Sequence, residues 1–254
     1  MRLYVRRRYL LASYMNLLYV GARRQIEYPK GGWLFICDEA PKKKQTRIFD
    51  PLHFSFNPLK GMTYQKARQI ADVLYTIYPQ GENTLTVRNG RRALLRALLT
   101  AEWLDEIQTK DEEVKGVVDD ILISPVLRQV FCYPRDQFSF NPRSMIFAKI
   151  ERTAVGDFDA MVLVLMLLSF YCGQIITDSF YLRPQHISLI REHRLIASCN
   201  TLSELPQNLR QAFLQGKVIA QGAIHADAVE LAKYQCRFPP NTEGYDAFIE
   251  GAMQ

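Results

Sequence analysis

The clearest chemical pattern in the chain is the acidic pair Asp38 and Glu39, which directly follows the apolar run Leu34-Phe35-Ile36-Cys37. Four apolar residues that end in Asp and Glu are typical of nucleotide-hydrolysing enzymes, where the Asp holds Mg²⁺ and the Glu orients the attacking water. Taken alone, the pattern predicts a nucleotide-binding role for Asp38. Its early position in the chain, with no phosphate loop of the form G-x-x-x-x-G-K-[ST] before it, favours a different buried strand instead.

Two polar residues near the other end of the chain are also candidates for a site. Gln221 follows Val218-Ile219-Ala220, and the carboxyl ends of strands are where ligands bind in open α/β sheets. Arg210 lies on the polar side of a predicted helix, from which it could reach the phosphates of a neighbouring subunit as an arginine finger. The alternatives are a polar strand terminus for Gln221 and simple solvation for Arg210.

The excess positive charge of the chain is concentrated at its N-terminal end. Residues 1–47 carry eleven Lys or Arg against three acidic residues, a balance of +8, whereas the remainder has 21 basic and 23 acidic residues, a balance of −2. Localised basic patches are typical of surfaces that bind nucleic acid or anionic lipid, although a solvated face is an equal alternative. The candidate DNA-binding residues are Arg6, Arg7, Arg8, Arg23, Arg24 and the i, i+4, i+8 series Arg88, Arg92 and Arg96.

Cysteine and histidine spacing argue against a metal or disulfide framework. The five cysteines are widely separated and form no C-x-x-C pair, and the four histidines show no ligand spacing. We therefore expect no metal site and a reducing, cytoplasmic environment. Residues 5–22 are predicted to form an amphipathic helix rather than a signal peptide, because polar residues interrupt the apolar run. The apolar segment 160–172 is shorter than the ~20 residues needed to span a bilayer.

Strand and helix patterns alternate along most of the chain, which is typical of a parallel sheet covered by helices on both faces. Strands are predicted at 33–37, 46–49, 145–150, 186–190 and 217–221, and helices at 63–78, 91–107, 111–123, 125–131, 157–172, 202–214 and 223–234. The predicted class is α/β, with a mostly parallel sheet that is interrupted by an all-helical insertion. The predicted domains are 1–60 and 137–236 for the two parts of the α/β core, 61–136 for the insertion and 237–254 for a mobile tail.

A short repeat brackets the predicted insertion. The sequence Phe-Ser-Phe-Asn-Pro occurs at residues 54–58 and again at 138–142. Because the patterns around the two copies differ, we interpret them as two similar turns where the chain enters and leaves the insertion.

The order of these pieces, together with the segment Asp50-Pro51 to Asn57-Pro58-Leu59, resembles the FtsK/HerA-type P-loop ATPases, most closely the conjugative coupling proteins of the TraG/TraD kind. The resemblance implies a RecA-like sheet with an inserted helical domain, and a hexameric, membrane-associated DNA pump driven by ATP and Mg²⁺. It implies that Ile187–Glu192 is the Walker B strand, that Glu192 is the catalytic base and that Gln221 senses the γ-phosphate. It also implies that the helix at 5–22 follows the Walker A loop, so that the chain would begin just after that loop.

The chain departs from this family at both nucleotide motifs. The Walker A loop is missing, and Arg191 stands where the Walker B Asp is expected, a position at which a cation would repel Mg²⁺. Glu192 has its own alternative, an ion pair with Arg191 or Arg194. We therefore expect ATP and Mg²⁺ to act only if another polypeptide supplies the loop.

Three functions remain open from the sequence. The first is a degenerate or incomplete DNA-translocating ATPase for DNA transfer or packaging in a mobile element or phage. Its expected partners are DNA, further copies of itself or an intact ATPase subunit, and membrane-associated secretion or packaging machinery. The second is a non-catalytic DNA-binding or assembly scaffold. The third is a protein held peripherally at the inner membrane by its basic N-terminal segment.

Overall fold

The computed structural model describes residues 16–21, 32–40, 47–77, 84–135, 137–187 and 195–253. Within these residues the strands are β1 (Leu17–Val20), β2 (Trp33–Cys37), β3 (Arg47–Phe49), β4 (Met145–Lys149), β5 (Gln174–Asp178), β6 (Leu195–Cys199), β7 (Lys217–Ala220) and β8 (Cys236–Arg237). The helices are α1 (Tyr64–Ile77), α2 (Thr84–Thr100), α3 (Glu112–Leu122), α4 (Pro125–Cys132), α5 (Arg152–Val155), α6 (Asp157–Phe170), α7 (Gln207–Leu214), α8 (His225–Leu231) and α9 (Tyr245–Ala252).

The described strands form one eight-stranded sheet in the order β3-β4-β2-β5-β6-β1-β7-β8. The described pairings are parallel, as strand-helix alternation predicted. Helices α1 to α4 occupy the stretch between β3 and β4 and form the predicted all-helical insertion. The predicted α/β class, a parallel sheet flanked by helices and interrupted by a helical insertion, is confirmed.

The chain divides into two compact units. Unit 1 draws on Met1–Ile36, Pro142–Met145 and Gly173–Gln254, and unit 2 on Cys37–Asn141 and Ile146–Cys172. In unit 1, β1 pairs on one side with β6 and on the other with β7, so that Val20 lies opposite both Cys199 and Ala220. All four residues of β1 are buried, as expected for a strand with neighbours on both sides.

The position of β1 corrects the prediction of a helix over 5–22. Residues 17–20 form a strand, and residues 5–15 lie outside the described part of the chain. The apolar run Leu-Leu-Tyr-Val fits a buried strand as well as a helical stripe, and short apolar runs do not distinguish the two. The inference that this segment is the helix after the phosphate loop is therefore wrong for residues 17–20.

The predicted strand at 186–190 is also wrong where it can be compared. His186 lies in a short 3₁₀ helix at Pro184–His186, Ile187 is helical, and residues 188–194 are outside the described residues. The strands in this part of the chain are β5 and β6 instead. Residues 237–254, expected to form a mobile tail, include helix α9, which packs against α8.

Side-chain caps set the helix boundaries in the insertion. The carboxylate of Asp111 accepts a hydrogen bond from the Val114 backbone N–H at 3.2 Å, and the hydroxyl of Ser124 accepts one from the Leu127 N–H at 3.2 Å. These bonds satisfy donors that the first turns of α3 and α4 would otherwise leave unpaired. Ser124 also donates a hydrogen bond to Asp159 near the start of α6. Burial raises the pKa of the Asp159 carboxyl group, and this hydrogen bond offsets only part of that rise.

The two Phe-Ser-Phe-Asn-Pro copies meet in unit 2. Ser55 and Gln137 form an isolated parallel bridge, and the Phe138 N–H donates to the Ser55 carbonyl at 2.7 Å. Around this bridge lies a cluster of phenylalanine rings, which we call the Phe cluster: Phe49, Phe54, Phe56, Phe131, Phe138, Phe140 and Phe170. The repeat therefore pairs the two chain segments that border the insertion.

The Asp50 side chain fixes the start of the same segment. One carboxylate oxygen accepts the Leu52 N–H at 3.0 Å, and the other lies 3.5 Å from the ammonium of Lys149 at the end of β4. The negative charge of Asp50 raises the pKa of Lys149. Asp50 thus acts in the structure as a turn residue and an ion-pair partner of β4.

We expect Phe56→Ala to lower the free energy of unfolding by about 3–5 kcal/mol, because Phe56 is buried and packs on Phe49, Phe131 and Phe140. Phe54→Ala is the matched control within the same motif. Phe54 is only half-buried and packs on Phe138, so we expect about 1–2 kcal/mol. Urea denaturation measures both variants, and equal losses would contradict the proposed role of the Phe cluster.

Candidate functional site

Four strands of unit 1 end at one edge of the sheet, and three of them bring polar residues there. Gly21 follows β1, Asp178 ends β5, Asn200 follows β6 and Gln221 follows β7. Because the strands are parallel, their carboxyl ends share an edge, and ligands in open α/β sheets bind outside that edge. We call these residues, with Ser179, Ser198 and Glu204, the carboxyl edge.

A carboxylate and a hydroxyl are paired at the centre of this edge. Asp178 lies opposite Ser198 in the register of β5 and β6, and the Ser198 hydroxyl donates a hydrogen bond to the Asp178 carboxylate. Ser198 is buried and Asp178 is half-buried. A carboxylate oriented in this way at the end of a buried strand has the chemistry of a Mg²⁺ ligand in nucleotide-binding sheets.

The second carboxylate, Glu204, ties two loops together. One of its oxygens accepts hydrogen bonds from the Asn200 N–H and from the Ser179 hydroxyl, both at 3.0 Å. The other accepts from the Asn200 side-chain amide at 2.9 Å. Glu204 therefore joins the turn that follows Asp178 to the turn that follows β6, and holds both in a fixed position.

The end of β1 is packed tightly between its neighbours. The Gly21 N–H donates to the Cys199 carbonyl at 2.9 Å, and the Gln221 N–H donates to the Val20 carbonyl at 2.7 Å. Gly21 has a φ of +123°, and a Cβ atom there would lie 2.3 Å from the Gly222 carbonyl oxygen. Only glycine fits this position without a shift of the β7 end.

The predicted site residues fall into separate places. Gln221 lies at the carboxyl edge, where the pattern predicted it. Arg210 lies on α7 with one guanidinium nitrogen 3.8 Å from Glu230 of α8, and its Nε is buried without a hydrogen-bond partner. Asp38 is exposed just after β2 and belongs to unit 2.

The remaining candidates lie on α2 or outside the described residues. Arg88, Arg92 and Arg96 are all exposed on α2, which begins early enough to carry all three. Outside the described residues are Glu192, Arg6, Arg7, Arg8, Arg23 and Arg24.

Sequence reasoning missed Asp178 and Glu204. The segment Gln-Ile-Ile-Thr-Asp is a short, partly β-branched run that ends in a carboxylate, and such a run between turn residues is a strand signal. Glu204 has no comparable signal, because its role depends on the distance between two loops.

Among the described side chains, no group of three or more His, Cys, Asp or Glu is placed to hold a metal ion.

None of the helices in the described part of the chain is long and apolar enough to cross a membrane.

No protein-family model matches the chain, and no curated protein matches it. One similar solved structure is the plasmid coupling protein TrwB in complex with the non-hydrolysable ATP analogue ADPNP. The match covers 84% of this chain and 72% of that chain, at 13% sequence identity and a TM-score of 0.37. At this identity no residue role is carried over from that protein.

We expect Gly21→Ala to destabilise the protein by about 2–4 kcal/mol, since the new methyl group combines a strained φ with a clash against the β7 end. Gly222→Ala is the matched control. Its φ of +114° imposes similar strain, but a Cβ there would lie 3.6 Å from its nearest neighbour, the Cβ of Glu243. We expect a loss of about 1–2 kcal/mol there. Chemical denaturation monitored by circular dichroism compares the two, and a larger loss for Gly222→Ala would contradict the packing of β1 against β7.

Proposed function

We propose that the chain is a degenerate DNA-translocating ATPase-like protein that takes part in DNA transfer or packaging. The observation that carries the proposal is the carboxyl edge of unit 1, where the central strand β1 lies beside β6 and Asp178 lies one strand further on. A phosphate loop connects a strand to a helix and binds phosphates at the carboxyl end of that strand. The carboxyl end of β1, at Gly21, is therefore where such a site would lie.

The sequence that follows β1 is what makes the protein degenerate in this proposal. Residues 21–32 read Gly-Ala-Arg-Arg-Gln-Ile-Glu-Tyr-Pro-Lys-Gly-Gly, and the single lysine precedes glycine rather than Ser or Thr. The lysine and hydroxyl that hold the β- and γ-phosphates and Mg²⁺ in such loops therefore have no counterpart. Arg23 and Arg24 follow Gly21 in the sequence and are basic, but arginine has no hydroxyl group to offer Mg²⁺.

We assign the metal-binding position to Asp178 at the end of β5. The resemblance had placed that position at Arg191, directly before the expected base Glu192. If Mg²⁺ with ATP binds, the Asp178 carboxylate would hold the ion and Ser198 would orient that carboxylate. In this proposal ATP is hydrolysed only when another polypeptide supplies the phosphate loop, and the chain alone binds Mg²⁺-ATP at most weakly. The partners we propose are DNA, copies of this chain or an intact ATPase subunit, and a secretion or packaging machine.

A non-catalytic scaffold is the second candidate, and one observation favours it. The carboxylate of Glu204 is engaged by Ser179 and Asn200, so polar groups at the edge are used to hold the edge together. In this case the carboxyl edge is a structural element of an assembly or DNA-binding protein, and the chain binds no nucleotide.

We expect the purified chain to turn over no ATP above the buffer rate, with or without DNA, because the lysine and hydroxyl ligands are missing. Calorimetry with Mg²⁺-ATP separates the two candidates. Weak binding that is lost in Asp178→Asn and kept in Asp38→Asn supports the degenerate motor, whereas no binding up to millimolar ATP favours the scaffold. Turnover that depends on Asp178 would contradict the proposal, since the loop at 21–32 would then work as a phosphate loop.

A further inference from the structure

Helix α2 has an unusual charge composition for a helix inserted into a folded unit. Its seventeen residues include Arg88, Arg91, Arg92 and Arg96, and no Asp or Glu. A helix with four arginines in its central nine residues and no acidic residue to offset the charge attracts anionic partners. The question is which face carries the charge.

Three of these arginines lie on the outer face of the helix. At about 100° per residue, Arg88, Arg92 and Arg96 fall within an arc of about 80° and extend over about 12 Å along the axis. All three are exposed, whereas Leu94 and Leu98 on the opposite side are fully buried. We call Arg88, Arg92 and Arg96 the arginine stripe.

The acidic neighbours of α2 lie away from the stripe. Arg91 is directed to α1, where its guanidinium is 3.5 Å from the Asp72 carboxylate. Glu113 of α3 approaches Gly90, since a Cβ on Gly90 would be 3.0 Å from its carboxylate oxygen. Gly90 is about 160° around the helix from the middle of the stripe. Among the described residues, the acidic groups Asp72 and Glu113 therefore meet the inner and lateral faces of α2, away from the stripe.

We propose that the arginine stripe binds the phosphate backbone of DNA. Guanidinium groups suit phosphate because their planar donors bind two oxygens at once. Contacts of this kind position a protein on DNA without reading its sequence. The inference rests on the proposed function, because it names the surface through which such a protein would contact its DNA.

An anionic membrane is the other partner that a basic helix could bind, and the packing of α2 argues against it. Helices that lie in a membrane surface insert an apolar face below the headgroups. The apolar face of α2 is already used inside unit 2, because Leu94, Ala97 and Leu98 are buried there. Leu99 is an exposed apolar residue on the helix. Its 41% exposure offers too little apolar surface to anchor α2 in a membrane.

The test measures binding of the full chain to a 30-base-pair DNA duplex by fluorescence anisotropy, at several salt concentrations and with two unrelated sequences. We expect the triple variant Arg88→Gln, Arg92→Gln, Arg96→Gln to bind roughly tenfold or more weakly on both sequences. The slope of log affinity against log salt should fall by about 2.7, since each lost phosphate contact removes ~0.9. Each single variant should remove about one third of that change.

The control variant removes the same charge elsewhere in unit 2. Lys110→Gln, Lys115→Gln, Arg128→Gln changes three exposed basic residues outside α2, and we expect affinity within about twofold of the unchanged chain. If the unchanged chain binds DNA and the two triple variants weaken DNA binding equally, the assignment of the stripe as the DNA-binding surface is wrong, while the proposed function stands.

Two further outcomes are decisive. If the unchanged chain does not bind DNA at low salt, both the proposed function and the stripe are contradicted. If it binds vesicles of phosphatidylserine and phosphatidylcholine through the stripe but does not bind DNA, the partner is a membrane and our assignment is wrong. Circular dichroism of each variant checks that the fold is kept, and the single variants provide the answer if the triple variant is unfolded.

Discussion

The burial of β1 between β6 and β7 is the constraint on which the rest of unit 1 depends. A strand with neighbours on both sides satisfies its backbone donors and acceptors in the sheet, and it must be apolar on both faces. Leu17 to Val20 meet that condition, and Gly21 ends the strand where a side chain would strike the β7 end. Because β1 is fixed, its carboxyl end at Gly21 lies at the same edge as Asp178 and Gln221.

The same strand order determines which polar groups meet at this edge. The sheet places a carboxylate, Asp178, one strand away from β6 and beside the buried hydroxyl of Ser198. These groups lie in positions that the strand order creates, so they persist as long as the sheet folds. Residues 21–32 are different, because the sheet does not require a lysine followed by Ser or Thr there, and the sequence has no such pair in this stretch.

Much of the fold could be predicted from sequence, and the failures share a physical cause. The strands β2, β3, β4 and β7 and the helices of the insertion follow from apolar runs, caps and breakers. The strands β1, β5 and β6 were missed, because a strand buried on both faces has no alternation and a short apolar run fits a helix equally well. These three strands form the middle of the unit 1 sheet, where the ambiguity is greatest.

The candidate site could be predicted only in part for the same reason. Gln221 follows β7, whose boundaries the sequence gives correctly, so its place at the edge was predicted. Asp178 ends β5, a strand that was not predicted. The resemblance placed the Walker B strand at Ile187–Glu192 instead. The bonds that Glu204 makes with Ser179 and Asn200 join loops that are more than twenty residues apart in sequence, and no local pattern encodes that distance.

The central claim is that residues 17–20 form the middle strand between β6 and β7. Amide-to-amide NOEs in a perdeuterated, ¹⁵N-labelled sample test it most directly. The account predicts cross-strand NOEs from the Leu18 and Tyr19 region to β6 near Ala197 and to β7 near Val218. Strong sequential amide NOEs along 17–20 with no contact to either strand would indicate a helix, and would contradict both the strand order and the site built on it.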